Sequence, residues 1–188
     1  MMRISPRRSF WTIAGVIVGA GACSSASSPA SDAGTSALTV TSSSFTNNSA
    51  IPAKHATTNV DGGQNKSIPL AWSGAPGTTQ TFAVATIDTS ALNFIHWIVV
   101  NVPATTLSLA EGASDAGITG ATQLTNDFMT SGYGGMEPPQ GENHTYVTTV
   151  YALNSSLSLS GTVPYATFQS TIASKIVGQG SITGTFSR

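Results

Sequence analysis

The segment His96-Trp97-Ile98-Val99-Val100-Asn101-Val102, closed by Pro103, constrains this chain more than any other. A run so continuously apolar reads as a β-strand buried on both faces. Thr145 to Leu153 is a second segment of that kind. The rest of the chain keeps mostly to period two. Leu38 and Val40, with Ser42, alternate in a first strand. Leu70-Ala71-Trp72 is a short strand closed by Gly74-Ala75-Pro76-Gly77, and Thr81 to Ile87 places Phe82, Val84 and Thr86 on one face. Phe45 to Ile51 reads as a polar turn around Asn47-Asn48, with loops at Ile51-Pro52 and Asp61 to Asn65. Thr105 to Ser131 has three glycines and little periodicity, which predicts a long excursion over the surface. Near the C-terminus Pro164 can open a helical turn, and Phe168, Ile172 and Ile176 follow at four-residue spacing as one apolar stripe. Gly178 and Gly180 end that helix, and Ile182, Gly184 and Phe186 alternate in a last short strand. The expected fold is mostly β, with a C-terminal helix.

The first residues read as a targeting signal. Arg3, Arg7 and Arg8 form a basic start, and Phe10 to Ala22 is an apolar run of signal length, short for a membrane span. Small residues lead from it into Cys23, the only cysteine, so no disulfide can form within the chain. A lone cysteine there resembles a bacterial lipobox, with Cys23 as the lipidated residue; the alternative is an ordinary cleavage site. Arg7-Arg8-Ser9-Phe10 also resembles a twin-arginine export motif, without its usual leucine after the phenylalanine. Residues 1–23 are thus expected to be an export signal. Residues 24–37, rich in Ser, Ala and Gly, are expected to be a flexible tether, and residues 38–188 one domain. The expected location is the cell envelope, with the membrane reached only through a lipid anchor on Cys23.

Charge narrows the partners. Past the signal, four basic residues (Lys54, Lys66, Lys175 and Arg188) stand against eight acidic ones, a net charge of −4. No basic cluster remains, which argues against a nucleic-acid partner.

The stretch Tyr133 to Tyr146 carries the candidate chemistry. Gly134 and Gly135 permit backbone angles closed to other residues, and Pro138 and Pro139 stiffen the loop. Past Gly141 a strand begins, with His144 and Tyr146 two apart and therefore on one face. Asp88 ends one predicted strand and His96 opens the next, so Asp88, His96 and His144 can meet at one rim. The bland alternative is that Asp88 caps a turn and both histidines merely straddle core and solvent. Trp72, Trp97 and Phe82 read as core, His55 as structural or solvated in a loop, and Glu111 and Asp115 as surface charges.

Several segments in register resemble the phosphatidylethanolamine-binding protein family, and most of all its bacterial, Raf kinase inhibitor-like branch. They are Asn65 to Pro76, Ile87-Asp88-Thr89-Ser90, His96 to Pro103, Gly132-Tyr133-Gly134-Gly135 with Pro138-Pro139, His144-Thr145-Tyr146, and Ser181 to Arg188. The resemblance implies a β-sandwich of antiparallel sheets with a C-terminal helix, short peripheral helices and a small anion pocket at one rim. It assigns Asp88, His96, Gly134, Gly135, Pro138, His144 and Tyr146 to that pocket. Anion donors would be amides of the glycine loop, the two imidazoles and the Tyr146 hydroxyl; Asp88 would orient a histidine and favour its charged form. Two departures stand out. The family's Asp-Pro-Asp is here Asp88-Thr89-Ser90, and Met136-Glu137 fills the middle of the loop. Glu137 would oppose an anion if turned inward, and otherwise points to solvent.

These residues imply a binding protein for a small anionic or phosphoryl ligand, with no catalytic residue and no cofactor; no Gly-x-Ser-x-Gly elbow is present. One alternative is a protein-interaction role, as an inhibitor of an envelope protease or kinase-like partner. Another is a metal-dependent enzyme using Asp88, His96 and His144.

Overall fold

A computed structural model describes residues 35–188; the expected export signal, Cys23 and the tether up to residue 34 lie outside the described residues. Ten strands follow in chain order. They are β1 (Ser36–Ala37), β2 (Thr39–Thr41), β3 (Ser49–Ala50), β4 (Leu70–Ser73), β5 (Thr81–Asp88), β6 (Phe94–Pro103), β7 (Ser108–Leu109), β8 (Thr122–Gln123), β9 (Asn143–Leu153) and β10 (Ile176–Ser187). The larger sheet runs β1-β10-β9-β5-β6-β8, with β3 also against β10. Its central pairs are antiparallel, whereas β1 and β3 join β10 in parallel. A three-stranded antiparallel sheet, β2-β4-β7, packs as the second layer.

Two cores explain why β5 and β6 carry apolar residues on both faces. Phe82, Val84, Trp97, Val99 and Val102 face the small sheet and meet Leu70, Trp72 and Leu109 there. Ala83, Ala85, Ile98 and Val100 face the other way, onto Phe168 and Ile172 of the helix α2 (Tyr165–Ile172). Both strands are therefore sandwiched, as their composition predicts. Trp72, Trp97 and Phe82 are all core. The mostly β class, the C-terminal helix and short peripheral helices (Ala53–His55, α1 at Ala113–Ala116, and Ala173–Lys175) match the expectation.

Three local expectations change. Phe45 and Ile51, read as part of a polar turn, are buried in the core, and β3 lies between them. The segment after Pro103 is not purely a surface excursion, because Leu109 and Leu124 are buried and β7 and β8 join the sheets. The helix stops at Ile172, and Ile176 opens β10 opposite Leu153. β10 is twelve residues long, not a short terminal strand. Its glycines look like breakers in isolation. They sit where other segments press on the strand: a Cβ at Gly180 would collide with the Leu38 backbone, and one at Gly184 with Ile51 and Phe45 side chains. Glycine inside a strand here marks close approach.

Candidate functional site

Three neighbouring strands deliver the polar side chains. Asp88 at the end of β5 is paired in register with Tyr146 of β9, and His144 lies two residues earlier on the same buried face. His96 comes from β6 by way of a β-bulge. Thr86 pairs with Trp97 and Ile87 with Ile95, so His96 is the extra residue between them.

The Asp88 carboxylate is buried and holds two partners. Oδ1 accepts the Ser90 amide at 2.8 Å, the turn-capping role open to any strand-end aspartate. Oδ2 accepts His144 Nδ1–H at 2.6 Å, a short charge-assisted bond. The other ring nitrogen of His144, Nε2, donates to Glu142 Oε2 at 2.9 Å. Bonds first to Asp88 and then to Glu142 outweigh burial and raise the His144 pKa above its ordinary value. With a carboxylate on each nitrogen, the ring is an imidazolium.

His96 is held differently. Its Nδ1 lies 2.8 Å from Gly134 O and 3.1 Å from Gly135 O, so Nδ1 carries the proton. Burial lowers its pKa, against the pull of those carbonyls and of Asp88. The ring is therefore neutral, and its Nε2 lone pair has no hydrogen-bond partner among the described residues. Tyr146 stands edge-on to His96, with ring centroids 5.2 Å apart. Its hydroxyl is buried and makes no well-aligned hydrogen bond among the described residues; burial, then the Asp88 charge and a weak contact with that carboxylate, raise its pKa.

The glycine loop closes the site by its carbonyls, and neither glycine amide is free. Gly134 N–H donates to His96 O at 2.8 Å, and Gly135 N–H to Asn65 Oδ1 at 2.7 Å. The expected donation of these two amides to an anion does not fit this geometry. Both glycines are closely packed: a Cβ on Gly134 would meet the movable Phe128 ring, and one on Gly135 the backbone of residues 55–57, which cannot give way. Pro138 is buried in the same loop, and Glu142 N–H donates to Pro139 O at 3.1 Å. Glu137 takes neither of its expected orientations. It accepts Thr57 Oγ1–H at 2.9 Å and Asn59 Nδ2–H at 3.2 Å, with Arg188 Nη1 3.6 Å away. It braces the loop and does not enter the site.

Sequence reasoning brought Asp88, His96, His144 and Tyr146 to one place, and so does the structure. It missed Glu142, Asn65 and Phe128. Glu142 was within reach of the rule used for Tyr146, since it stands two residues before His144, just ahead of the strand. Asn65 and Phe128 carry no local signal; Phe128 covers His96 and Phe94 with ring centroids 5.5 and 4.9 Å away. His55 is fully buried and structural, with Nδ1 on Lys66 O and Nε2 facing Ser44 Oγ, both at 2.7 Å. Glu111 and Asp115 are partly exposed charges paired with Lys54 and Lys66.

A cleft of about 260 Å³, lined in part by Asn65, Phe128, Gly134 and Glu137, adjoins the site. Larger grooves of about 840 Å³ beside Phe186 and Arg188, and about 670 Å³ beside Leu70 and Glu111, lie elsewhere; neither they nor the smaller cleft are lined by Asp88, His96, His144 or Tyr146. Among the described residues no group of three or more His, Cys, Asp or Glu side chains is arranged to hold a metal ion.

The family model described as phosphatidylethanolamine-binding protein matches residues 41–187. YbhB of Escherichia coli K12 is 40% identical over 98 residues, a match spanning 49% of this chain and 62% of YbhB. LppC of Mycobacterium tuberculosis, which carries a lipoprotein name, is 30% identical over 152 residues, 79% of this chain and 72% of LppC. The crystal structure of E. coli YbcL, titled as a new member of the mammalian PEBP family, superposes with a TM-score of 0.74 at 31% identity. That match covers 80% of this chain and 98% of YbcL.

Proposed function

The chain belongs to the phosphatidylethanolamine-binding protein family, and from that premise we propose that it is an exported, non-catalytic binding protein for a small ligand bearing a phosphoryl or other anionic group. The observation that carries this reading is unspent bonding capacity at one spot. Among the described residues the buried Tyr146 hydroxyl makes no well-aligned hydrogen bond, its Asp88 contact being weak, and the His96 Nε2 lone pair, which solvent can reach, has no partner. Beside them stands an imidazolium, His144, fixed on its inner side by Asp88 at 2.6 Å. Buried polar atoms without partners are rare in native structures and ask for an explanation. A ligand supplies one: an oxyanion accepts from Tyr146 and from His144 Nε2–H, and a hydroxyl or ammonium on the same ligand donates to His96. Asp88 then acts by positioning and charging His144.

Placement at the cell envelope is supported by the basic and apolar start of the chain, by Cys23, and by likeness to a relative with a lipoprotein name. A membrane would be met through the lipid on Cys23, and the domain itself needs neither metal nor cofactor for this role.

The test is a titration of the purified protein with inorganic phosphate, phosphoethanolamine and acetate, followed by the ring signals of His96 and His144 in NMR spectra. Saturable shifts with phosphate and phosphoethanolamine that disappear in His144→Ala are expected, with acetate as the carboxylate comparison. Ring signals that stay still through millimolar phosphate and phosphoethanolamine overturn the reading and turn the search to protein partners.

A further inference from the structure

Glu142 is the one group that already sits where that ligand would sit. Its backbone is pinned on both sides: the Glu142 amide donates to Pro139 O, and its carbonyl accepts Arg188 N–H at 3.2 Å. Its side chain is 57% exposed, and among the described residues its only hydrogen bond is to His144 Nε2. Asp88, by contrast, is buried and held from two directions. Of the two carboxylates on His144, one is therefore part of the frame and the other is free to leave.

We propose that Glu142 determines which ligands this site accepts, because its carboxylate occupies the ligand's position on His144 Nε2 and must be displaced on binding. The inference rests on the anion-binding reading above and sharpens it. A tethered carboxylate competes at an effective concentration of millimolar or more. A simple carboxylate entering the site exchanges one carboxylate bond for another and gains nothing against that competitor. A phosphoryl group has further oxygens. One replaces Glu142 on His144, and another accepts from the Tyr146 hydroxyl, which makes no well-aligned hydrogen bond among the described residues. The three rings are close enough for a shared ligand, with His144 and Tyr146 centroids 6.5 Å apart and His96 and Tyr146 5.2 Å apart. Charge works the same way. Asp88 and Glu142 both border the site, so an anion that enters without moving Glu142 adds a further negative charge beside them. The site as built is selective for phosphoryl groups over carboxylates, and Glu142 is the reason.

The experiment compares wild type with Glu142→Ala and Glu142→Gln, using inorganic phosphate and acetate as probes. Glu142 is exposed, so both variants keep the fold. Phosphate binding is expected to tighten about tenfold in each variant, the scale of one solvent-accessible charge-assisted bond. Acetate is expected to bind the variants and not the wild type. The gain should vanish in a His144→Gln background, which ties it to Nε2 and not to the turn. In the absence of any ligand, the His144 ring should lose its proton at lower pH in Glu142→Gln than in wild type. Phosphate binding that is equal or weaker in the Glu142 variants, yet still abolished by His144→Gln, overturns the role of Glu142 while the pocket stands. Phosphate that binds neither wild type nor variants overturns the pocket itself, and the role of Glu142 with it. A ligand-free His144 titration that is identical in wild type and Glu142→Gln shows that the contact does not form in solution, and the inference fails whatever phosphate does.

Discussion

Replacing Gly135 by alanine tests how the glycine loop is held. An ideal Cβ at this position would overlap Ala56 C and Thr57 N and stand 2.7 Å from His55 O. Carbon contacts settle near about 3.5 Å or beyond, so the two backbone segments must separate by roughly an ångström. Neither can yield cheaply. Thr57 N–H is bonded to Met136 O at 3.2 Å, Asn65 N–H to Ala56 O at 2.8 Å, and Gly135 N–H to Asn65 Oδ1 at 2.7 Å. Overpacking of this kind costs about 1–3 kcal/mol, and one strained hydrogen bond adds about 1 kcal/mol. The expected loss is therefore about 3 kcal/mol. For a domain of this size that lowers Tm by about 6–12 °C. Gly134→Ala is the contrast. Its Cβ would strike the Phe128 ring, a half-exposed side chain that can rotate away. The loss of stability should be about 1 kcal/mol or less, while the His96 ring signals shift as Phe128 leaves them. Thermal denaturation of both variants, followed by circular dichroism, reads the difference. Equal melting temperatures for Gly135→Ala and wild type would refute the packing argument.

The Tyr146 hydroxyl and the two site histidines give further measurements. Tyr146→Phe removes a buried hydroxyl whose contact with the Asp88 carboxylate is poorly aligned, so the free protein should be as stable as wild type or up to about 1 kcal/mol more stable, while phosphate binding weakens; a loss above about 1 kcal/mol in urea denaturation would mean the hydroxyl is firmly bonded to Asp88. His144 has a raised pKa, so its contribution to stability is complete below the unfolded histidine value of about 6.5 and fades as pH climbs through the folded value. His144→Gln should thus be destabilised most at about pH 5.5 and least at about pH 9, and a constant difference across that range refutes the ion pair. His96 has a lowered pKa and runs the other way: its contribution is complete above about 6.5 and is lost as pH falls toward the folded value. In His96→Gln the acid-side loss of stability should be smaller than in wild type. Part of that loss persists, because buried His55 is lowered in the same way.

How much of this could be read from the sequence depends on whether the signal was local. The two sandwiched strands were legible because continuous apolarity needs no partner to be recognised, and His144 and Tyr146 because period two places them together. The length of β10 was not legible, since its glycines mean closeness only once Leu38 and Ile51, more than a hundred positions earlier, press against them. The bulge at His96 was hidden for a different reason. Without it, Ile95 and Trp97, two residues apart, would share a face; in the fold Ile95 packs toward α2 and Trp97 toward the small sheet. An alternating strand would betray such a change of phase. This strand is apolar on both faces, so its sequence carries no phase to break. The same composition that made the strand easy to find concealed the one irregularity in it that matters for function. That irregularity lies at the residue whose Nδ1 is spent on the glycine loop and whose Nε2 faces the site. A bulge turns a residue out of the regular pleat. Here it lets a histidine leave a strand that is otherwise wholly core and stand beside Tyr146, without unpacking either neighbour.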